Sequence, residues 1–302
     1  MRTIKYFSTF SGIGGFELGI EQAAEELGLQ VECIGFSEID KFAESVYKNH
    51  FKNIRNYGNI KEIKTEELPD FDLLVGGFPC QDVSIMGKRA GLAGERTGLF
   101  YELTRIINDK KPKYFVFENV KGLLSSNKGK DFKQVLQTLE GLGYEVQWRI
   151  FDSQYFKSPQ HRERVILVGF LREECPTEVL PIIGEKYKTV LPDGCIISYA
   201  KRRTKSVKHD YVNTITASYH GPYGDGAPGV IEKNGKIRRL TPVECERAQM
   251  FPDNWTKYGK DNEIISDNQR YHMCGNAVCV SVMRAVFLAF FSTISKEFKN
   301  ES

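Results

Sequence analysis

The first 170 residues alternate short apolar runs with stretches of helical spacing, and this alternation constrains the fold more than any other feature of the chain. Runs at 4–9, 31–36, 71–75, 114–117, 144–151 and 164–170 read as strands. Stretches at 16–27, 41–50, 98–108 and 130–142 read as helices. Parallel strands need long crossovers, and intervening helices supply them. The expected fold class is therefore α/β, a mostly parallel sheet with helices on both faces. After Leu171 the texture changes. Prolines at 176, 181, 192, 222 and 228 and glycines crowded between 221 and 229 mark a small, irregular, β-leaning unit. "LTPVECERAQMFP" reads as a helix from Pro242 with Thr241 as its N-cap. A further helix starts near Asn276. The expected organisation is a large domain at 1–170, completed by a C-terminal helix at 266–302, with 171–265 as a second unit.

A chain of 302 residues with 41% hydrophobic content can bury the core such a domain needs. Its net charge of +3 is too small to argue a nucleic-acid partner, so local clusters must carry that question. The seven cysteines include no C-x-x-C pair and the five histidines no H-E-x-x-H pattern. No metal site and no disulfide framework is expected, which suits a reducing, cytoplasmic location. The N-terminus lacks a signal-like apolar region. The apolar stretch 277–291 is interrupted by Arg284 and is too short to span a bilayer, so it reads as a buried helix rather than a membrane anchor.

Strand 4–9 runs into "FSGIGGFELG". Gly12 and Gly14 at a strand-to-helix turn let a ligand approach the backbone, although Glu17 stands where a full dinucleotide fingerprint has its third glycine. Glu38 in "GFSEID" ends the next strand and can accept both hydroxyls of a ribose. The bland alternatives are an empty glycine turn and a solvated carboxylate at a helix start. Together the two features point to an adenosine-containing cofactor, leaving nicotinamide and S-adenosylmethionine both open.

"GGFPCQDVS" places Cys80 just past Pro79 at a strand end, before a polar loop. A free cysteine is usually a small buried hydrophobe, but the ends of parallel strands are where open α/β sheets bind ligands. Cys80 is thus a candidate nucleophile. Glu118 emerges from the apolar run of "FVFENV", a setting that suits an acid catalyst; a helix-capping role for Glu118-Asn119 is the alternative. In "QHRERV", strand alternation directs Arg162 and Arg164 to one face, where they can hold Glu118 or a phosphate, or form a solvated basic edge. The stretch 81–98 carries glycines at 87, 91, 94 and 98 and suits a closing lid. Lys88 and Arg96 in it can meet phosphates, and Gln81 and Ser84 stand at its start beside Cys80. Two further basic runs, Lys201 to Lys208 and Lys233 to Arg239, would alone read as solvated faces.

In order, FSGIGG, SEID, GNI, GGFPCQ, ENV, QHRER, RRLTPVECERAQMFP and GNAV resemble the motifs of the DNA (cytosine-5) methyltransferases, compact bacterial and phage type. The resemblance covers about 4–170 and 237–292. It implies a Rossmann-like S-adenosylmethionine-dependent domain and makes 171–265 a target-recognition domain. It implies that Cys80 attacks C6 of a flipped-out cytosine in double-stranded DNA, aimed by Pro79, while Glu118 contacts N3, oriented with the base by Arg162 and Arg164. Methyl transfer to C5 leaves S-adenosylhomocysteine, and expulsion of Cys80 frees the product. Phe10, Gly12 and Gly14 match the family's glycine turn, Glu38 and Ile39 its ribose and adenine edge, and Asn59 and Ile60 its next adenine contact. Leu99 and Asn276 match positions closing the methionine side. Many members have an acidic residue at Asn59 and an aromatic at Ile39. Arg239, Tyr199, Tyr211, Tyr219, His220 and Tyr223 fit mixed phosphate and base contacts. The resemblance also implies a monomer, and a setting beside a cognate restriction endonuclease that acts on the same site without direct contact.

The alternative substrate is tRNA, in a cytosine-5 methyltransferase of the type that carries a C-F-T tripeptide in its recognition region; this chain has "TITASYHG" instead. A non-catalytic relative should have lost Cys80 or Glu118, and both are present. A nicotinamide oxidoreductase gives no role to PCQ, ENV and QHRER together.

Overall fold

The computed structural model describes residues 2–79, 98–172, 179–180, 197–202, 205–209, 211–219, 229–231 and 237–300. Strands β1 (Ile4–Thr9), β2 (Val31–Ser37), β3 (Leu73–Gly77), β4 (Tyr114–Val120), β5 (Tyr144–Asp152) and β7 (Glu163–Leu171) form a six-stranded sheet in the order β2-β1-β3-β4-β7-β5. The first four run parallel, and β7 is antiparallel to both β4 and β5. This reversal has a local cause. Each earlier strand is followed by a helix, whereas β5 and β7 are joined only by a 3-10 turn, Ser153–Tyr155, and the two-residue strand β6 (Gln160–His161). With no crossover helix there, the chain returns antiparallel.

Alternation along each central strand feeds two separate cores. Leu73, Val75, Tyr114, Val116, Ile166 and Val168 point to one face. There they meet helix α1 (Gly15–Leu27) and the C-terminal helix α7 (Val280–Asn300). Leu74, Phe115, Phe117, Val165 and Leu167 point to the other, against α3 (Leu99–Lys110) and α4 (Lys130–Gly141). By length and composition the helical stretch Asp267–Ile294, which includes most of α7, could cross a membrane. Its Val286, Phe287, Phe290 and Phe291 are instead fully buried against the sheet and α1. Each such phenylalanine contributes on the order of 2 kcal/mol by burial.

Helix α2 (Lys41–His50) starts at Asp40, whose side chain accepts from the amides of Phe42 and Ala43. Beyond β7, strands β8 (Ile197–Arg202), β9 (Lys205–His209), β11 (Gly229–Ile231) and β12 (Ile237–Arg239) form a second, antiparallel sheet in the order β12-β11-β8-β9. Strand β10 (Val212–Asn213) leaves it to pair in parallel with β6. Helix α5 (Pro242–Ala248) has the expected Thr241 cap, completed into a capping box by Glu244. Helix α6 (Asp267–Asn276) leads into α7.

Candidate active site

The sheet order turns outward in both directions from β1, toward β2 on one side and β3 on the other. Open α/β sheets bind ligands outside the carboxyl ends of strands at such a switch point. A cavity of about 370 Å³ opens there, within the range of small-molecule sites. From the first three strands it takes Phe10, Gly12, Glu38 and Pro79; from β4 and β7 it takes Glu118 and Arg164, with Arg162 just ahead of β7 and Asn276 from the end of α6.

The turn after β1 is built for close approach. Phe10, Gly12 and Gly14 have φ of 52°, 55° and 85°. A left-handed phenylalanine costs on the order of 1 kcal/mol and persists where surroundings hold it. Here the Ser11 amide donates to the carbonyl of Ser37, and Trp255 Nε1 donates to that of Ile13 at 2.8 Å. Gly12 has open space where a Cβ would stand. Glu38 closes the turn: its Oε2 accepts from the Gly12 amide, and its Oε1 from the amides of Ile39 and Asp40, each at 2.8 Å. Burial pushes the Glu38 carboxyl above its ordinary value, and these three amides pull it back. A fixed carboxylate beside an open glycine turn fits an adenosine-bearing group.

At the other end, Arg164 Nε donates to Glu118 Oε1 at 2.8 Å, with both residues largely shielded from water. Arg162 lines the same cavity but uses its guanidinium differently. Nη1 donates to the carbonyl of Ile215, and Nη2 to those of Gly275 and Ala277. Burial and the Arg164 charge push its pKa down, yet a guanidinium stays charged at neutral pH. Its buried Nε has no hydrogen-bond partner. Asn119 follows Glu118, and its side-chain amide donates to the carbonyl of Phe78, one residue before Pro79.

Other expected residues sit outside this lining. Gly14 caps α1. Ile39, 75% exposed, borders an open groove beside the cavity with Asp40 and His272. Asn59 caps a 3-10 turn through the amide of Lys61, and Ile60 is buried beneath it. Leu99 opens α3 and packs on the second core. Arg239 lies over the rings of Tyr219 and Tyr271, at 5.8 and 5.7 Å. Its neighbour Arg238 forks onto Glu244 and so serves the α5 cap. Lys201 and Arg202 lie on β8, Lys205 and Lys208 on β9. Cys80, Gln81, Ser84, Lys88 and Arg96 lie outside the described residues, as do Arg203, His220, Tyr223, Lys233 and Lys236.

Sequence reasoning named Asn119 only as a capping partner of Glu118 and did not place Asp40, His272 or Gly275 in the site. For the first, the signal was present: it belongs to "ENV". Asp40 and Gly275 likewise belong to "SEID" and "GNAV"; His272 takes its place through the packing of distant segments, which no local pattern displays.

Comparisons with known proteins converge. The family model described as C-5 cytosine-specific DNA methylase matches residues 4–191 and 178–292. The type II methyltransferase M1.ScrFI of Lactococcus lactis subsp. cremoris is 36% identical over 99% of this chain and 81% of its own length. The type II methyltransferase M.NlaX of Neisseria lactamica is 35% identical over 93% of this chain and 94% of its own. Among solved structures, the Entamoeba histolytica methyltransferase EhMeth has a similar fold, with a TM-score of 0.72 at 20% identity over 97% of this chain and 99% of its own.

Proposed function

Because the chain belongs to the C-5 cytosine-specific DNA methylases, and so is a DNA (cytosine-5-)-methyltransferase, we propose that the cavity at the ends of β1 to β4 is where cofactor and target base meet. The observation that carries this reading is the shared lining: the glycine turn and Glu38 border the same space as Pro79 and the Glu118–Arg164 pair. Phe10, Gly12 and Glu38 would hold S-adenosylmethionine by its adenosine half, with Asn276 at the other edge. When bound, that group supplies an electrophilic methyl and leaves as S-adenosylhomocysteine.

The chain's own residues prepare the base. In this reading the Cys80 thiolate adds to C6 of the flipped cytosine, and Glu118, held by Arg164, bonds N3 as charge moves into the ring. C5 thereby becomes the nucleophile. Loss of the C5 proton to solvent then sends its bonding electrons into the ring, expels Cys80 as a thiolate and restores the aromatic ring. A thiolate suits both addition and departure. Arg162 joins the site to the recognition region through the Ile215 carbonyl. Asn59, Ile39, Ile60 and Leu99 would contribute to the adenine and methionine edges.

The reading extends to organisation and setting. The segment 171–265 would read the DNA sequence against a catalytic unit of 1–170 and 266–302. Gln81, Ser84, Lys88, Arg96 and Arg239 would meet the duplex. The protein would act as a cytoplasmic monomer beside a restriction endonuclease of the same specificity. The test is transfer of label from methyl-tritiated S-adenosylmethionine into genomic DNA or tRNA, by the wild type and Cys80→Ala. Label in DNA, lost in the variant, is expected. Label in tRNA alone would transfer the reading to RNA, and label unaffected by the substitution would remove Cys80 from the chemistry.

A further inference from the structure

His272 stands where the recognition region, the cofactor cavity and the end of β2 meet. The segment after β10 is bound tightly into the site. The Ile215 amide donates to Gln160 Oε1 at 2.7 Å, and Thr214 Oγ1 donates to the carbonyl of His161 at 2.8 Å. Its next residues lie directly on α6. A Cβ at Gly275 would fall 2.2 Å from the carbonyl carbon of Thr216 and 2.3 Å from the amide nitrogen of Ala217. Only a glycine allows that seat.

One turn earlier on α6, His272 Nδ1 lies 3.2 Å from the Ala217 carbonyl oxygen. A carbonyl can only accept, so Nδ1 carries the hydrogen of that bond. In the neutral ring Nε2 is then an acceptor, and Asn276 Nδ2 lies 3.2 Å from it. The Oδ2 of Asp40 is 4.0 Å from the same Nε2, while the other oxygen of Asp40 caps α2 directly after Glu38. The imidazole is thus the middle member of a chain from Ala217 to Asn276, and both His272 and Asn276 line the cavity.

We propose that His272 is a positioning residue that couples the recognition segment to the cofactor cavity, so that DNA and S-adenosylmethionine each strengthen binding of the other. The inference rests on the reading of the site given above. A shift of the Ala217 carbonyl when DNA is engaged turns the ring and, with it, the Asn276 amide. A cofactor held against Asn276 fixes the ring and hence the carbonyl. Linkage requires the two effects to be equal in size.

The test measures the KM for S-adenosylmethionine, in methyl transfer to genomic DNA, at subsaturating and saturating DNA. The wild-type KM is expected to fall at least about fivefold on saturation. His272→Ala should bring the ratio of the two values to about one. His272→Asn can still donate to the Ala217 carbonyl but is too short to reach Asn276. It should keep the wild-type melting temperature and still lose the coupling, an outcome a merely structural role would not give. A wild-type ratio of one, an unchanged ratio in His272→Ala, or full coupling in His272→Asn would each overturn the proposal. If the wild type transfers no methyl to DNA, the reading of the site fails first and this inference falls with it.

Discussion

The side-chain amide of Asn119 donates to the carbonyl oxygen of Phe78 at 2.8 Å, from a position only 1% exposed. Its own Oδ1 accepts from the amide of Val120. The turn that leads into Cys80 is thereby fastened to the strand that carries Glu118, and the two would move as one unit. Asn119→Ala leaves the Phe78 carbonyl without this donor, at a cost of about 1–3 kcal/mol. A misplacement of about 1 Å at the reacting centre can cost roughly 100-fold in rate. The expected result is a large fall in kcat with little change in KM for S-adenosylmethionine. Wild-type kcat in the variant would show that the turn needs no such tie.

The two arginines of "QHRER" should separate in kinetics. Arg164 pairs with Glu118, whereas Arg162 is bonded to three backbone carbonyls. Arg164→Lys keeps a charge but loses the Nε contact, and kcat is expected to drop about 10-fold or more. Arg162→Lys cannot reach three carbonyls in a fixed fork, so its main effect should be a lower melting temperature. Normal kcat in the first variant, with lost kcat at full stability in the second, would reverse these roles.

Glu17 gives the fold a pH dependence. It is fully buried in the first turn of α1, accepts from the Tyr47 hydroxyl, and has one oxygen without a partner. Burial pushes its pKa up to about 7, against hydrogen bonds from Ser8, its own backbone amide and Tyr47. The folded chain therefore holds this proton more tightly than the unfolded chain. The associated stability is fully present below the ordinary carboxylate pKa and is lost as pH rises to about 7. The loss is on the order of 3 kcal/mol. Glu17→Gln cannot ionise, so its melting temperature should vary less between pH 5 and pH 8 than that of the wild type, by thermal melts in matched buffers. Parallel pH profiles for the two proteins would remove Glu17 as the cause.

These residues also show what the sequence makes legible. Alternation of the two element types exposes β1 to β4 and their helices, because a strand buried on both faces leaves a continuous apolar run and a helix leaves an apolar stripe. The reversal of β7 is legible in part, since no helical stretch separates 144–151 from 164–170; that β7 inserts between β4 and β5 appears only in the folded sheet. The C-terminal helix expected over 266–302 is in fact two, α6 and α7, and α6 is the faint one. "DNQRYHMCGN" has no clean apolar stripe; it is held by Arg270 and by the close seat at Gly275. Within the site, Glu38 and Glu118 are legible as carboxylates that end strands. His272 is not, since its partners come from residues 40, 217 and 276.

The anchor of α6 supplies the last prediction. Arg270 Nη2 lies 3.0 Å from Glu246 Oε1, and neither side chain is more than 8% exposed. Glu246 also accepts from the amides of Asn254 and Thr256 and from the Thr256 hydroxyl. One carboxylate thus joins α5, the segment after it and α6. Removing one member of such a pair strands a buried charge, at about 3–5 kcal/mol, whereas replacing both with apolar residues of similar volume is often neutral. Glu246→Gln and Arg270→Met should each lower the melting temperature strongly, and the double variant should lose much less than their sum. Because α6 carries His272 and Asn276, the single variants should also weaken S-adenosylhomocysteine binding, measured by calorimetry below their melting range. Additive losses in the double variant would mean that the two residues act independently, and that the amides and Thr256 alone hold Glu246 in place.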